Sequence, residues 1–373
     1  MDASRSAFEL EEPVAVDRAQ ETDRAAAAVD LRLLAKETLV ELVELLMETR
    51  RVGGPLLRDG LLTFGFLEEA QELVLSEKPT FASFKAATFP ASEVFLNYEL
   101  NGKPSAEAIV ESPPTIVIGL HPCDIAGLQF MDRYFGGGEW DAPADPNYTA
   151  RRKALTVIGL DCMHPCDSDS FCRDMQSLEV HEGFDAMLVD LGDSYLVEIP
   201  TEAGKAVFDL AESQPAPESA LVRAQELRQR RADSFPRRLQ VSLQGLPGLL
   251  NSNMSHPVWQ AMGNLCLSCG SCTAVCPTCF CFDVIERLKP DMTGGERCRI
   301  WDSCQLRSFA TVAGGRNFRE ERSSRQRHFT MHKSAYIPQS YGVAGCVGCG
   351  RCIRTCPVHI SQIEIYNRLA REA

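Results

Sequence analysis

The sequence predicts an α/β N-terminal domain followed by a C-terminal α-helical module that is rich in cysteine. Two near-continuous apolar runs, at residues 115–120 and 155–160, are typical of buried parallel strands. A four-cysteine pattern then occurs twice, at residues 266–277 and 346–357, and apolar residues at helical spacing follow each copy. We therefore expect three regions: a mobile tail at residues 1–30, an α/β domain at residues 31–250 and a cysteine module at residues 251–373.

The N-terminal elements follow from hydrophobic periodicity. Residues 31–50 predict an amphipathic helix, because four apolar residues recur at helical spacing opposite glutamates, and Gly53-Gly54-Pro55 should end it. Residues 124–135 predict a helix between the two apolar strands, so that strand, helix and strand form a βαβ unit. Residues 184–199 predict two strands joined by a turn at Gly192.

The repeated pattern is Cys-x2-Cys-x2-Cys-x3-Cys-Pro, which is the bacterial signature for 4Fe-4S clusters. Each copy supplies three thiolates on a tight loop and a fourth that, in two-cluster ferredoxins, crosses over to the other cluster. Gly270 and Gly350 follow the second cysteine of each copy, where a residue without Cβ lets the backbone come close to the cluster. Zinc sites repeat paired cysteines instead. The sequence thus predicts two interlocked clusters held by Cys266, Cys269, Cys272, Cys276, Cys346, Cys349, Cys352 and Cys356.

Four further cysteines lie just beyond the ends of the two predicted parallel strands. In open α/β sheets this carboxyl edge is where ligands bind, and four thiols are the ligand count of a third cluster. Two alternatives remain: zinc, held by the same thiols or with His164 in place of one, and a structural group of buried thiols. The four residues are Cys123, Cys162, Cys166 and Cys172.

Composition limits the classes of function. The formal net charge is −13, and the basic C-terminal part, with 15 Lys and Arg against 9 Asp and Glu in residues 251–373, has no recognisable nucleic-acid-binding motif. We expect no nucleic-acid partner. There is no export signal and no apolar run long enough to span a membrane, so we expect a cytoplasmic protein whose 16 cysteines are metal ligands in a reducing compartment.

The segment between the two cysteine runs is long for a small ferredoxin. Apolar residues within residues 284–288 and 360–369 predict helices beside both clusters. The segment also contains thiols with no assigned cluster. We interpret them mainly as buried packing residues, and a further site is the alternative. They are Cys279, Cys281, Cys298 and Cys304.

Several separated motifs together resemble one family, the iron-sulfur beta subunit of cytoplasmic sulfhydrogenases, which are NAD(P)-linked nickel-iron hydrogenases. They are also similar to the A subunit of anaerobic sulfite reductase. The resemblance extends from about residue 115 onward. The motifs are Gly119-Leu-His-Pro-Cys-Asp-Ile-Ala-Gly-Leu128, the segment from Cys162 to Cys172, Cys266 through Phe282, Trp301-Asp-Ser-Cys304 with Gly314-Gly-Arg-Asn-Phe-Arg319, and Tyr341-Gly342 leading into Cys346-Val-Gly-Cys-Gly-Arg-Cys352.

This resemblance implies a subunit without a catalytic centre of its own. It would pass electrons between a flavin-bearing NAD(P) reductase subunit and a hydrogenase small subunit or an equivalent iron-sulfur partner, in a hetero-oligomer away from the membrane. The chain has no G-x-G-x-x-G after a strand, so we expect it to bind neither flavin nor NAD(P) itself. By the same resemblance, the first cluster takes Cys266, Cys269, Cys272 and Cys356, the second takes Cys346, Cys349, Cys352 and Cys276, and the family's N-terminal cysteines correspond to Cys123, Cys162, Cys166 and Cys172.

Two other functions compete with the relay. One is a catalytic iron-sulfur subunit of a sulfite- or heterodisulfide-reducing complex, in which the four unassigned cysteines would line a cluster that faces substrate. The other is a redox sensor whose clusters report oxidation.

Overall fold

The computed structural model describes residues 29–137 and 143–372. The tail predicted for residues 1–30 therefore lies outside the described residues except at its end. Within the described part, no helix has the length and apolar character needed to cross a membrane. The strands there are β1 (Asp30–Ala35), β2 (Arg51–Arg58), β3 (Leu61–Phe66), β4 (Ser92–Glu99), β5 (Ser105–Ala108), β6 (Thr115–Leu120), β7 (Leu155–Leu160), β8 (Ala186–Asp190), β9 (Ser194–Ile199), β10 (Gln214–Pro215), β11 (Phe282–Leu288) and β12 (Gly294–Trp301).

Twelve α-helices accompany the strands in the described residues. They are α1 (Lys36–Met47), α2 (Pro122–Phe135), α3 (Pro146–Lys153), α4 (Glu202–Phe208), α5 (Glu218–Asp233), α6 (Leu246–Ser252), α7 (Val258–Leu265), α8 (Ser271–Ala274), α9 (Arg322–Met331), α10 (Ile337–Tyr341), α11 (Arg351–Arg354) and α12 (Gln362–Glu372).

The large sheet has the strand order β10-β1-β9-β8-β7-β6-β2-β3. Its central strands β2, β6, β7 and β8 run parallel, and the outer strands pair antiparallel. Every residue of β6 and β7 is buried, as near-continuous apolar runs require. The predicted βαβ unit is confirmed as β6-α2-β7, and the predicted hairpin is confirmed as β8 and β9. This arrangement brings the ends of β6 and β7 to one edge of the sheet.

The helix predicted for residues 31–50 is wrong at both ends. Residues 30–35 form β1, which pairs antiparallel with β9, and only residues 36–47 are helical. Gly53-Gly54-Pro55 does not terminate the helix but lies inside β2. A Cβ on Gly54 would come within 3.0 Å of the Ile118 carbonyl oxygen, so the glycine permits a close approach to the strand alongside. Sheet pairing therefore overrides the local helical pattern.

The second sheet corrects the expectation of an α-helical insert. Its strand order is β11-β12-β4-β5, so two strands from the N-terminal half pair with two from the insert. Residues 284–288, predicted as a helix, belong to strand β11. The β-branched Val284 and Ile285 suit a strand, and pairing with β12 supplies its hydrogen bonds. The helix predicted after the second cysteine run is confirmed as α12, which buries Ile363 and Leu369.

Of two large apolar cores, one borders the cysteine runs. One core lies between α1 and the large sheet, where Leu42 and Ile116 are buried. The other lies among α6, α7, α9 and α12 and contains Trp259, Tyr366 and the first cysteine of the first run, Cys266. Because both runs border the second core, its packing fixes the separation of their loops.

Candidate iron-sulfur centres

The first cysteine group consists of Cys266, Cys269, Cys272 and Cys356. A common cavity is lined by all four residues, although Cys356 comes from the second run. Cys266 follows the end of α7, and its sulfur accepts hydrogen bonds from the Gln326 side chain at 2.9 Å and from the Ser268 backbone N–H at 3.3 Å. Burial raises the pKa of Cys272 to about 12, and the neighbouring sulfurs act in the same direction. A bound cation would therefore be needed to hold this sulfur as a thiolate.

The second cysteine group consists of Cys346, Cys349, Cys352 and Cys276. The last of these comes from the first run, and its sulfur raises the pKa of each of the other three. Burial is the largest cause of the raised pKa at Cys352, followed by the sulfurs of Cys346 and Cys276. Each group thus contains three cysteines of one run and one cysteine of the other, as the crossed ligand pattern requires.

The two glycines singled out by the sequence have left-handed backbones. Gly270 has φ +78° and directly precedes α8, and Gly350 has φ +73° and directly precedes α11. A Cβ on Gly350 would lie only 2.7 Å from the Asp169 carbonyl oxygen. Glycine is therefore required here for two reasons, the positive φ and the close approach of the α/β domain.

The donor atoms of these two groups suit 4Fe-4S clusters better than single metal ions. All eight donors are thiols, the ligand that iron-sulfur clusters use. Four thiolates around one zinc ion would have sulfurs about 3.8 Å apart. Among the residues that the structure describes, the one set of three or more donor atoms within 4.8 Å of each other is His121, Cys162 and Cys166, which belongs to neither group. The wider spacing of the two groups leaves room for a cluster.

The four N-terminal cysteines also come together, at the carboxyl edge of β6 and β7. We call them the rim group: Cys123, Cys162, Cys166 and Cys172. Cys123 is the second residue of α2, and three of the four thiols are buried with Leu178, Phe235 and Val347. Cys349 of the second group belongs to the same buried cluster. The rim group and the second group are therefore neighbours, a relationship that the sequence alone does not predict.

One residue of this edge was missed at the sequence level. His121 is 4% exposed, its Nε2 atom lies 2.9 Å from the Ser76 carbonyl oxygen and its Nδ1 atom lies 3.6 Å from the Cys166 sulfur. Because a carbonyl oxygen only accepts, Nε2 carries the hydrogen. Burial would lower the pKa of His121, but the Cys166 sulfur raises it. The sequence feature that could have identified His121 is its position two residues before Cys123. His164, the histidine of the alternative zinc site, is exposed.

Three of the four unassigned cysteines form a further set, which we call the outer thiols: Cys279, Cys281 and Cys304. They pack with Phe329 and with one cysteine from each ferredoxin group, Cys272 and Cys276. A hydrogen bond from the Cys304 thiol lowers the pKa of Cys281 to about 7. Cys298 does not join them, since it is fully buried within β12, opposite Ile285 and Val94. A site made of all four cysteines is therefore wrong.

Two buried lysines place positive charge beside the cysteine groups. The Lys85 ammonium donates to the carbonyl oxygens of Thr273 and Cys279, and the Lys333 ammonium donates to the Thr278 hydroxyl and the Gly345 carbonyl oxygen. Burial lowers the pKa of Lys85. Burial would lower the pKa of Lys333 as well, but the sulfurs of Cys276 and Cys279 raise it well above its ordinary value. The positive charge of the two lysine ammonium groups would favour a negatively charged cluster in the second group.

The comparison with known families agrees with this geometry. Residues 265–360 match the family described as "4Fe-4S dicluster domain". This range contains both cysteine runs and all eight thiols of the first and second groups. The chain therefore carries a dicluster iron-sulfur domain, and the protein is of the iron-sulfur class.

A second comparison covers nearly the whole chain. The protein is 29% identical over 343 residues to the "Sulfhydrogenase 2 subunit beta" of Pyrococcus furiosus, which is 90% of this chain and 97% of the relative. The resemblance predicted from the separated motifs, to the beta subunits of sulfhydrogenases, is confirmed. The chain is accordingly similar, over nearly its whole length, to the beta subunit of a sulfhydrogenase. The match extends through the N-terminal α/β region as well as the dicluster domain.

Proposed function

We propose that the chain relays electrons through three 4Fe-4S clusters between a flavin-bearing NAD(P) reductase subunit and a hydrogenase small subunit or equivalent catalytic partner. The first and second clusters would be held by the first and second cysteine groups as defined above. The third would be held by the rim group, whose Cys162 and Cys166 sulfurs lie within 4.8 Å of each other and would move apart to take up a cluster. The single observation that carries the proposal is the contiguity of the three groups. Cys276 and Cys356 are exchanged between the first two groups, and Cys349 packs among the rim thiols.

A bound 4Fe-4S cluster supplies reversible one-electron transfer at a potential that its protein surroundings set. The residues of this chain hold the thiols in place, exclude water and adjust the local charge. Around the second group, the buried thiols have raised pKa values and the Lys333 ammonium lies close by, so both would influence the potential of a cluster bound there. The rim group would extend the same path across the α/β domain.

The relative supports a complex of several chains. It is one subunit of a sulfhydrogenase, and a subunit implies further chains. We infer that this chain likewise works in a hetero-oligomer. Its sequence contains no dinucleotide-binding G-x-G-x-x-G after a strand, which is why we assign the flavin and NAD(P) to another subunit.

The test compares the isolated chain with the complex in which it is purified. The visible absorbance of the clusters in the isolated, anaerobic chain should bleach with dithionite and remain unchanged with NADH or NADPH. In the complex, NADH or NADPH should bleach it. Bleaching of the isolated chain by NADH or NADPH, or a complex that both nucleotides leave oxidised, would contradict the proposal.

Matched variants extend the test to the rim group. Cys123→Ser should remove iron and slow electron flow between the two ends of the complex, whereas Cys298→Ser, a buried thiol outside all the groups, should change neither. Equal iron content and equal flow in the two variants would remove the third cluster from the relay.

A further inference from the structure

The outer thiols have no role in the relay. Two of them, Cys281 and Cys304, are in contact through a side-chain hydrogen bond, although they lie far apart in sequence. Cys281 follows the first cysteine run, and Cys304 follows the end of β12. The backbone holds the two segments together, because the Asp302 N–H donates to the Cys281 carbonyl oxygen at 2.9 Å. The thiol pair is therefore a built feature of the fold.

The two thiols differ in their access to solvent. Cys281 is half-buried and lines an open pocket, while Cys304 is 4% exposed and does not line it. A half-buried thiol that lines a pocket, in contact with a buried thiol behind it, is the arrangement that thiol–disulfide exchange needs, since one sulfur attacks and the other resolves the mixed disulfide.

The pocket has the size and lining for a small organic molecule. Its volume is about 250 Å³, and its walls include the Trp301 ring and the buried Lys85 ammonium, which lies 4.0 Å from the centre of that ring. Cys269, the exposed cysteine of the first group, also lines the pocket. The pocket thus has an apolar wall, a cation and a reactive thiol.

The thiol pair lies between the two cysteine groups, and this position gives it a source for the two electrons that the reduction of a disulfide needs. Cleavage of a sulfur–sulfur bond takes two electrons, whereas each 4Fe-4S cluster carries one. The outer thiols pack against Cys272 of the first group and against Cys276 of the second. Both proposed clusters would therefore lie beside the pair, and each could supply one electron.

We propose that Cys281 and Cys304 form a redox-active dithiol that reduces the disulfide of a small thiol bound in this pocket. The Cys281 thiol loses its proton to solvent and its sulfur attacks one substrate sulfur. The substrate S–S bond breaks, and the first thiol leaves as a thiolate that takes up one proton from solvent. Cys304 then gives up its proton and attacks the Cys281 sulfur, so that the mixed disulfide breaks and the second thiol leaves. The substrate gains two electrons and the pair becomes a disulfide. Two electrons and two protons restore the dithiol, and this last step rests on the proposed electron relay.

The neighbouring cysteines provide matched controls. Cys279 hydrogen-bonds with Cys276 of the second group, and its carbonyl oxygen accepts from Lys85, so it is committed to that group. Cys298 is fully buried in β12 and lies apart from the outer thiols. Cys298→Ser therefore removes one thiol from the same part of the chain without touching the pair.

The experiment uses the full chain with its clusters, purified anaerobically, with bis(2-hydroxyethyl) disulfide as the probe. Reduced methyl viologen serves as the electron donor, and its oxidation is followed in the visible range. Turnover should occur in the wild type and in Cys298→Ser and should be lost in Cys281→Ser and Cys304→Ser, with equal iron content in all four proteins. Cys304→Ser should also accumulate one probe thiol on Cys281, detected by mass spectrometry of the intact chain.

The possible outcomes distinguish a failure of the dithiol proposal from a failure of the relay proposal. The Cys304→Ser adduct depends on the thiols alone, so its absence overturns the dithiol even where the relay holds. Clusters that viologen reduces without any turnover of the probe also overturn it and leave the relay standing. An adduct at Cys281, together with turnover that needs both cysteines, supports the proposal.

Discussion

The Arg351 guanidinium and the Asp124 carboxylate form a buried ion pair with two hydrogen bonds, Nη1–Oδ1 at 2.7 Å and Nη2–Oδ2 at 2.9 Å. Arg351 also donates to the carbonyl and hydroxyl oxygens of Thr80. Asp124 directly follows Cys123, and Arg351 lies between Cys349 and Cys352. The pair therefore fixes the spacing between the rim group and the second group.

Removal of one partner of this pair should destabilise the protein strongly. Arg351→Met leaves the Asp124 carboxylate buried without its cation, which costs about 3–5 kcal/mol of unfolding free energy. Arg354→Met is the control, because its ion pair with Asp167 is partly exposed and should cost at most about 1 kcal/mol. Denaturant unfolding of the full chain measures both. Similar losses in the two variants would mean that the buried pair does not join the two regions.

Gly350→Ala should prevent normal assembly of the second loop. The new Cβ would lie 2.7 Å from the Asp169 carbonyl oxygen, in a backbone with φ +73°. Gly342→Ala is the matched control, since φ is +67° there but no atom lies within 4 Å of the place where a Cβ would be. The control should lose about 1 kcal/mol from its positive φ alone, and Gly350→Ala clearly more, with reduced iron content. If the two alanine variants unfold at the same denaturant concentration, close approach at Gly350 is unimportant.

Lys333→Met should lower the reduction potential of the cluster proposed for the second group. The buried ammonium stabilises the more negative, reduced state, and its loss should shift the potential down by on the order of 50–100 mV. Lys205→Met removes an exposed lysine of α4 and should leave the potential unchanged. Potentiometric titration followed by EPR distinguishes the variants. An unchanged or raised potential in Lys333→Met would refute the electrostatic role.

His332 should make the protein less stable in mild acid. Burial lowers the pKa of His332 and of its stacked neighbour His328 to about 4, whereas an unfolded histidine has a pKa of about 6.5. The unfolded chain thus binds more protons below pH 6.5, and stability present above that pH is lost as the pH falls towards 4. His332→Gln should flatten this slope of unfolding free energy against pH, and His181→Gln, an exposed site, should not. A slope equal to that of the wild type in His332→Gln would count against the buried histidine.

The sequence predicts those parts that local pattern and motif spacing control. The apolar runs of β6 and β7, the hairpin of β8 and β9 and the two ferredoxin runs all have signals that tertiary packing reinforces. It fails where pairing with a distant strand decides the structure. Residues 30–35 and 282–288 become strands because β9 and β12 offer them hydrogen-bonding edges.

The site follows the same rule. The runs identify eight cysteines by their spacing, but the contact between Cys349 and the rim group depends on how two regions dock. The contact of His121 with Cys166 and that of Cys281 with Cys304 likewise join segments that are distant in sequence. No local pattern encodes such contacts, so they required the fold.

Iron, zinc and acid-labile sulfide per chain, measured on anaerobically purified protein with an EPR spectrum after reduction, test the three-cluster relay most directly. The account predicts about twelve iron and twelve sulfide, falling to about eight of each in Cys123→Ser, with magnetic interaction between neighbouring reduced clusters. About eight iron in the wild type, with one zinc or none and no change in Cys123→Ser, would contradict it.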